Sequence, residues 1–150
     1  MKAITIHQPW ATLIALGEKR FETRGWSTKY RGPIAIHAAK KVDVEICNHE
    51  PFRSVLAKHG YTPDNLPTGA VVAIAQLNEC WHIGLERGMP ILYDREGGQT
   101  RLIGRKENSF GWFEPGRYAW EMSDVKQVEP VAVKGQQGLW NFVPPKCGNV

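Results

Sequence analysis

The segment AVVAIAQLNECW, residues 70–81, is the most apolar stretch of the chain. Its β-branched Val71, Val72 and Ile74 favour extended backbone, so it predicts a central strand. On either side of this segment, similar patterns predict strands at residues 2–6, 20–24, 34–38, 118–122 and 125–133. The last two predicted strands are joined by a Ser123-Asp124 turn. Residues 82–116 hold seven glycines and little periodicity, which predicts a long irregular excursion.

Short helical segments interrupt these strands. Pro9 suits the first turn of a helix that Gly17 closes, and Asp43 can cap a second helix that Pro51 breaks or restarts. Residues 139–140 predict a final turn. Short strands with two or three short helices predict a mixed α/β, mostly β fold, in the form of a small barrel whose edges close on each other. Because no repeat or linker appears, residues 1–150 predict a single domain.

Composition narrows the class of protein. The 150 residues are 42% hydrophobic and 23% charged, which is typical of one globular domain. The three cysteines, Cys47, Cys80 and Cys147, show no CxxC spacing, so we expect an intracellular location, cytoplasmic in a prokaryote. No apolar run approaches the roughly 20 residues of a membrane span. The net charge is +4, with basic residues concentrated towards both ends, which favours polyanionic partners.

The densest group of charges is GEKRFETR, residues 17–24. If residues 20–24 are extended, Glu22 and Arg24 share one face, whereas Phe21 and Thr23 point to the other. Lys19 stands at the turn before them, and a lysine beside a glutamate suits phosphate binding or proton transfer. An edge strand whose alternating charges discourage aggregation accounts for the same pattern.

The six tryptophans divide into two groups. Trp10, Trp81 and Trp120 lie in apolar patterns and predict core positions. Trp26 stands among cations and Trp112 among glycines, where indoles suit stacking on unpaired bases. Loop aromatics that pin a long loop to the body account equally for Trp112.

Motifs for bound groups are absent from the sequence. No two of the five histidines have helical metal-ligand spacing, and His37 fits a hydrogen-bonded core position. The chain has no P-loop, GxGxxG or GxSxG motif. We therefore expect neither a metal nor a cofactor.

Several elements together resemble the ASCH domain family, which belongs to the PUA-like superfamily. They are His7-Gln8-Pro9-Trp10-Ala11, the spacing Gly17-x-Lys19-x-x-Glu22-x-Arg24, Tyr30-Arg31-Gly32, Gly116-Arg117-Tyr118-Ala119-Trp120-Glu121, and Val133-Lys134-Gly135-Gln136-Gln137-Gly138-Leu139-Trp140. The HQPWA and GLW elements are closest to the branch found at the end of the activating signal cointegrator 1 coactivator. The likeness runs over nearly the whole chain.

The resemblance implies a PUA-like β-barrel with a basic cleft that accepts RNA, single-stranded DNA or a modified nucleoside. Carried over by motif, Lys19, Glu22 and Arg24 would line this cleft, with Gln8 and Trp10 near its mouth. We therefore expect a nucleic-acid-binding domain with weak sequence dependence. The remaining expected contacts are a stacking indole and further phosphate-binding cations, namely Trp26, Lys40, Lys41, Arg117 and Lys134.

A second reading of the same residues is catalytic. Another branch of the superfamily is similar in the glycine-lysine spacing and is an amidohydrolase of acylated cytidine that uses a lysine and a threonine. Glu22 occupies the threonine position here. The alternative is therefore a cofactor-free hydrolase, ribonuclease or acylcytidine amidohydrolase-like, that uses Lys19 and Glu22. An adaptor that binds another protein is a third reading, and the sequence does not indicate the oligomeric state.

Overall fold

The computed structural model describes residues 1–145 as short helices on a large sheet, which confirms the mixed, mostly β class. In chain order the elements are β1 (Lys2–Gln8), α1 (Trp10–Ala15), β2 (Phe21–Arg24), β3 (Gly32–Val42), α2 (Val44–Cys47), α3 (Phe52–Lys58), β4 (Ala70–Glu86), β5 (Met89–Tyr93), β6 (Thr100–Leu102), α4 (Arg105–Phe110), β7 (Tyr118–Ala132) and β8 (Leu139–Asn141).

All the strands of these residues belong to one sheet. Its main path runs β2-β7-β4-β3-β1-β8, and β5 and β6 extend from β4 off this path. The pairings are antiparallel except that of β1 with β3. The predicted central strand is confirmed, because β4 pairs with β3, β5 and β7. Within residues 1–145 no backbone pairing joins β2 to β8, so the sheet is open and closure into a barrel is not confirmed.

The open sheet curls strongly. Arg24 on β2 donates a hydrogen bond from Nη2 to the carbonyl oxygen of Thr5 on β1, at 2.6 Å. These strands are four steps apart along the sheet path, so the sheet must bend to bring them together. Inside the bend, Trp120 and Ile36 are fully buried, and Ile14 of α1 packs against the same cluster.

Two short segments near the C-terminal end differ from their predicted form. Ser123-Asp124 is not a hairpin turn, because β7 continues through it and stays paired with β4. Asp124 has φ 48° and sits at a register shift, so it makes a bulge; aspartate tolerates this left-handed region better than most residues. Leu139 and Trp140 form strand β8 against β1 rather than a turn.

The predicted irregular excursion over residues 82–116 is also wrong. Strand β4 runs on to Glu86 and turns back at once into β5. The two turn residues, Arg87 and Gly88, have φ values of 53° and 79°, the combination that fits the twist of paired strands in a tight hairpin. Strand β6 and helix α4 follow, so much of the segment is regular. Apart from Gly84, which lies within β4, its glycines lie in the turns and loops between these elements.

The predicted starts and stops of the helices are confirmed. The Asp43 carboxylate accepts a hydrogen bond from the Ile46 backbone N–H at 3.0 Å and so caps α2. Pro51 separates α2 from α3, and Gly17 has φ 76° just after α1. His37 is confirmed as a core residue, because it is buried and its Nε2 lies 2.7 Å from the Val133 carbonyl oxygen.

Glu18, in the turn after α1, ties together parts of the chain that are distant in sequence. Its carboxylate contacts Lys58 at 2.8 Å, His59 at 2.7 Å and Lys106 of α4. Hydrogen bonds from His59, Lys106 and Lys58 lower the pKa of Glu18 to about 2. Since the folded state binds this proton more weakly than the unfolded chain, the carboxylate stabilises the fold above its ordinary pKa of 4.5.

Replacing Glu18 with glutamine should therefore destabilise the protein at neutral pH by about 1 to 2 kcal/mol, which lowers Tm by a few degrees. The difference from wild type should shrink as the pH falls from 4.5 towards 2, because the wild-type carboxylate is then protonated. Thermal melts at a series of pH values measure this. Glu129→Gln, at an exposed position, is the matched control; an equal pH response of the two variants would contradict the prediction.

Candidate functional site

A cleft of about 540 Å³ opens where the curl brings β2 towards β1. Its walls come from parts of residues 5–10, 19–26 and 109–117, together with Ile46 and Phe52. The cleft thus lies at the seam of the sheet, the place where Arg24 of β2 meets Thr5 of β1, and the short helices close its sides. Among the predicted site residues, those that line it are Trp10, Lys19, Glu22, Arg24, Trp26 and Arg117.

Lys19 lies at the floor of this cleft. Its side chain is 1% exposed, and its Nζ donates a hydrogen bond to the Phe21 carbonyl and lies 4.0 Å from Glu22 Oε1. Burial lowers the pKa of Lys19, because the charged ammonium loses its water, whereas Glu22 and Glu107 oppose that shift. The Lys19 amine therefore lies buried beneath the cleft and does not extend into solvent.

The predicted pairing of Glu22 and Arg24 on one face of β2 is confirmed. Arg24 Nε lies 2.9 Å from Glu22 Oε2, and both side chains line the cleft. The Phe21 ring packs into an apolar cluster and does not line the cleft. Thr23 was expected on the Phe21 face, but it also contributes to the lining, and its hydroxyl accepts a hydrogen bond from the backbone N–H of Trp112 at 3.1 Å. Strand β2 thereby presents an ion pair to the cleft and anchors a neighbouring loop.

Trp26 is half-buried at the end of this strand face. Its ring meets the ring of Trp120 edge to face, with 4.8 Å between centroids, and its carbonyl accepts a hydrogen bond from Trp120 Nε1. Trp120 is fully buried, so it fixes Trp26 to the core. The remaining 38% of Trp26 is exposed and lines the cleft.

Trp112 and Arg117 form the rim of the cleft. The Arg117 guanidinium carbon lies 3.8 Å from the centre of the Trp112 ring, a close cation–π stack. Arg117 also donates hydrogen bonds to the carbonyls of Thr23 and Trp112, each at 3.2 Å. Trp112 is nevertheless 60% exposed, so the loop is tied down while most of this indole faces solvent.

Gln8 and three lysines do not line the cleft. Gln8 is fully buried, and its amide bonds to Thr12 and to the Pro67 carbonyl, so it supports α1 from within. Trp10, beside it, does line the cleft and donates from Nε1 to the Phe110 carbonyl at 2.9 Å. The structure places the remaining predicted phosphate contacts at exposed positions outside the lining, namely Lys40, Lys41 and Lys134.

Sequence reasoning missed other lining residues. His7 is exposed at the end of β1 and lines the cleft, although it has neither metal-ligand spacing nor an apolar setting that would mark it in the sequence. Ser109 and Phe110 belong to α4, whose six residues are too few to show a helical period. The useful signal for His7 was its place beside Gln8-Pro9, where β1 ends and a helix begins.

Nothing in the described part of the chain supplies a metal site. Within residues 1–145 no group of three histidine, cysteine, aspartate or glutamate side chains is placed to hold a metal ion. Cys47 and Cys80 are buried free thiols, and Cys147 lies outside the described residues. No helix of these residues is long and apolar enough to cross a membrane.

A curled, mostly β sheet with a cleft at its seam, lined by the GxKxxExR segment, defines the class of protein. The model of the ASCH domain matches residues 4–132, and the chain belongs to this family. Activating signal cointegrator 1 from Homo sapiens is 34% identical over 80 residues, and its counterpart from Mus musculus is 32% identical. The match covers 51% of this chain and 14% of each relative, so the chain corresponds to a small part of those proteins.

The fold has a counterpart among solved structures. The crystal structure of ASCH from Zymomonas mobilis superimposes with a TM-score of 0.52 and covers 95% of this chain and 87% of its own. The two sequences are 16% identical, so this likeness concerns the fold alone.

The cleft wall formed by α4 is held to β2 by one carboxylate. Glu107 of α4 accepts hydrogen bonds from the backbone N–H groups of Arg20 at 2.9 Å and Phe21 at 3.1 Å. Hydrogen bonds to a charged acceptor contribute about 1.5 to 3 kcal/mol each. Glu107 therefore sets the distance between the two sides of the cleft near Lys19.

Glu107→Ala should release this contact and raise the hydrogen-exchange rates of the Arg20 and Phe21 amides by roughly tenfold or more. Exchange measured residue by residue by NMR tests this. Glu114→Ala is the control, because the Glu114 carboxylate bonds the Trp112 indole and no backbone amide of β2. Unchanged protection at both amides would show that α4 is held by packing instead.

Proposed function

We propose that the chain binds RNA or single-stranded DNA in the cleft between β1 and β2, with weak dependence on sequence. In this proposal the curled sheet acts as a PUA-like barrel whose open seam admits an unpaired nucleotide. The observation that carries the proposal is the pairing of exposed indoles with guanidinium groups. Trp26 and Trp112 offer ring surface, and Arg24 and Arg117 stand beside them.

This combination suits single strands for a physical reason. Every base has a flat aromatic face, so indoles bind bases by stacking whatever their identity, and cations hold the backbone. Arg24 and Arg117 are the cleft cations with exposed surface, whereas buried Lys19 adds positive potential from below. A double helix hides its base faces, which favours an unpaired ligand.

A second candidate is the cofactor-free hydrolase, and the position of Lys19 favours it. A buried lysine with a lowered pKa, 4.0 Å from a carboxylate, resembles the acid and base groups that enzymes place in clefts. The Thr23 hydroxyl is engaged by Trp112 N–H, which argues against its use as a nucleophile. Product analysis on RNA and acylcytidine decides between the candidates: turnover by wild type that is lost in Glu22→Gln would favour the hydrolase.

If cleft cations bind phosphates, the affinity for a short single strand should fall with salt, with a log–log slope of about −0.7 for each phosphate neutralised. Arg117→Gln should make the slope shallower by about 0.7, and Arg117→Lys should restore it. Fluorescence anisotropy over a salt series measures this. Lys126→Gln, on a separate surface depression, should leave the slope unchanged. Absence of binding at low salt would contradict the proposal.

If Trp26 stacks on a base, Trp26→Ala should weaken binding by about 1 to 3 kcal/mol, or roughly 5- to 150-fold. Trp26→Phe should retain part of the affinity, since it keeps an aromatic face. The edge-to-face contact with Trp120 is worth about 0.5 to 1.5 kcal/mol, so Trp26→Ala should also lower Tm by a few degrees. Binding is therefore measured well below Tm, with exposed Leu102→Ala as control. Equal affinities of wild type and Trp26→Ala would show that Trp26 contributes to packing and not to binding.

A further inference from the structure

The Glu22 carboxylate has charge partners in the cleft wall but no hydrogen-bond donor. Its side chain is 11% exposed, and Oε2 lies 2.9 Å from Arg24 Nε. That N–H makes no hydrogen bond, because it is not aligned with the oxygen, and Lys19 donates to the Phe21 carbonyl instead. Within residues 1–145 no N–H or O–H group donates to Glu22. The neighbouring cations thus keep the carboxylate in place, and it faces the cleft, where a ligand can reach it.

A ligand that fills this position must be a donor. A carboxylate only accepts hydrogen bonds, so a ligand group that displaces water from Glu22 must bring an N–H or O–H donor of its own. A phosphate cannot serve, because two anions repel each other at this distance. Phosphates therefore belong with Arg117 at the rim. The donors of a nucleotide are the N–H groups of the base edge and, in RNA, the ribose 2′-hydroxyl, so in single-stranded DNA the base edge is the group that suits Glu22.

The placement of Trp26 supports the same division of roles. Trp26 lines the cleft with Glu22 and offers exposed ring surface, and it stands two residues beyond Arg24 in the chain. A base stacked on this indole would lie beside the wall that presents the carboxylate. Stacking does not distinguish bases, whereas an acceptor at the base edge does.

We infer that Glu22 selects bases that carry an amino group at C4 of a pyrimidine or C6 of a purine, cytosine or adenine, over the counterparts that carry a carbonyl oxygen there, uracil and hypoxanthine. This inference rests on the proposed function. An amino group donates a hydrogen bond to the carboxylate, as glutamate does with cytosine N4 in DNA recognition. A carbonyl oxygen at the same position sets an acceptor against an acceptor, which leaves both without a partner.

The test compares four single-stranded octamers, oligo-dC, oligo-dU, oligo-dA and oligo-dI, by fluorescence anisotropy at one salt concentration near pH 7.5. Wild type should bind at least one amino-bearing octamer roughly tenfold more tightly than its carbonyl counterpart. The pyrimidine and purine pairs are read separately, so the result also identifies which base fits. The ratio within a pair should be independent of salt, because both octamers carry the same phosphates.

Glu22→Gln should bring the ratio close to one, because the glutamine amide can both donate and accept. Glu129→Gln removes the same charge at an exposed position and should leave the ratio unchanged. A wild-type ratio near one in both pairs, with binding intact, overturns this inference alone, and that result needs no variant to fold. A preference that persists in folded Glu22→Gln also overturns it. Failure of all four octamers and of the same four sequences made as RNA to bind would overturn the proposed function as well.

Discussion

The hydrogen bond from Arg24 to the Thr5 carbonyl is the contact on which the cleft depends. It joins strands that lie four steps apart in the sheet, and it is made by a side chain where a closed barrel would have a ladder of backbone bonds. Because the seam is spanned by one guanidinium, a ligand can enter beside it. The same guanidinium lies next to Glu22. Arg24 therefore contributes both to the contact across the seam and to the ion pair that lines the cleft.

The charged cleft is supported by apolar packing from behind. Buried Trp120 holds Trp26, and the Phe21 ring anchors β2 in its own apolar cluster. Lys19 is the exception, since burial disfavours its charged form and lowers its pKa, whereas Glu22 and Glu107 oppose that shift and Nζ donates to the Phe21 carbonyl.

Local patterns predicted the parts of the structure that local chemistry decides. The β-branched run of residues 70–81 forms the predicted strand, and Glu22 and Phe21 face opposite sides of β2 as predicted. Both follow because the side chains of a strand alternate between its two faces. The bulge at Asp124 and the hairpin at Arg87-Gly88 were missed, since each depends on which strand lies opposite. For the same reason Gln8 could not be recognised as buried: its partners, Thr12 and Pro67, meet it only after α1 folds back.

Strands β5 and β6 lie off the main strand path. Within residues 1–145 β6 pairs only with β5, and the connection between them, residues 94–99, is almost entirely exposed. Neither strand contributes to the seam or to the cleft lining. Exposed loop tips of this kind accept changes in length with little effect on the body of a protein. The loop of residues 94–99 is therefore the place where the chain can lengthen, or accept a fused peptide, without changing the geometry of the cleft.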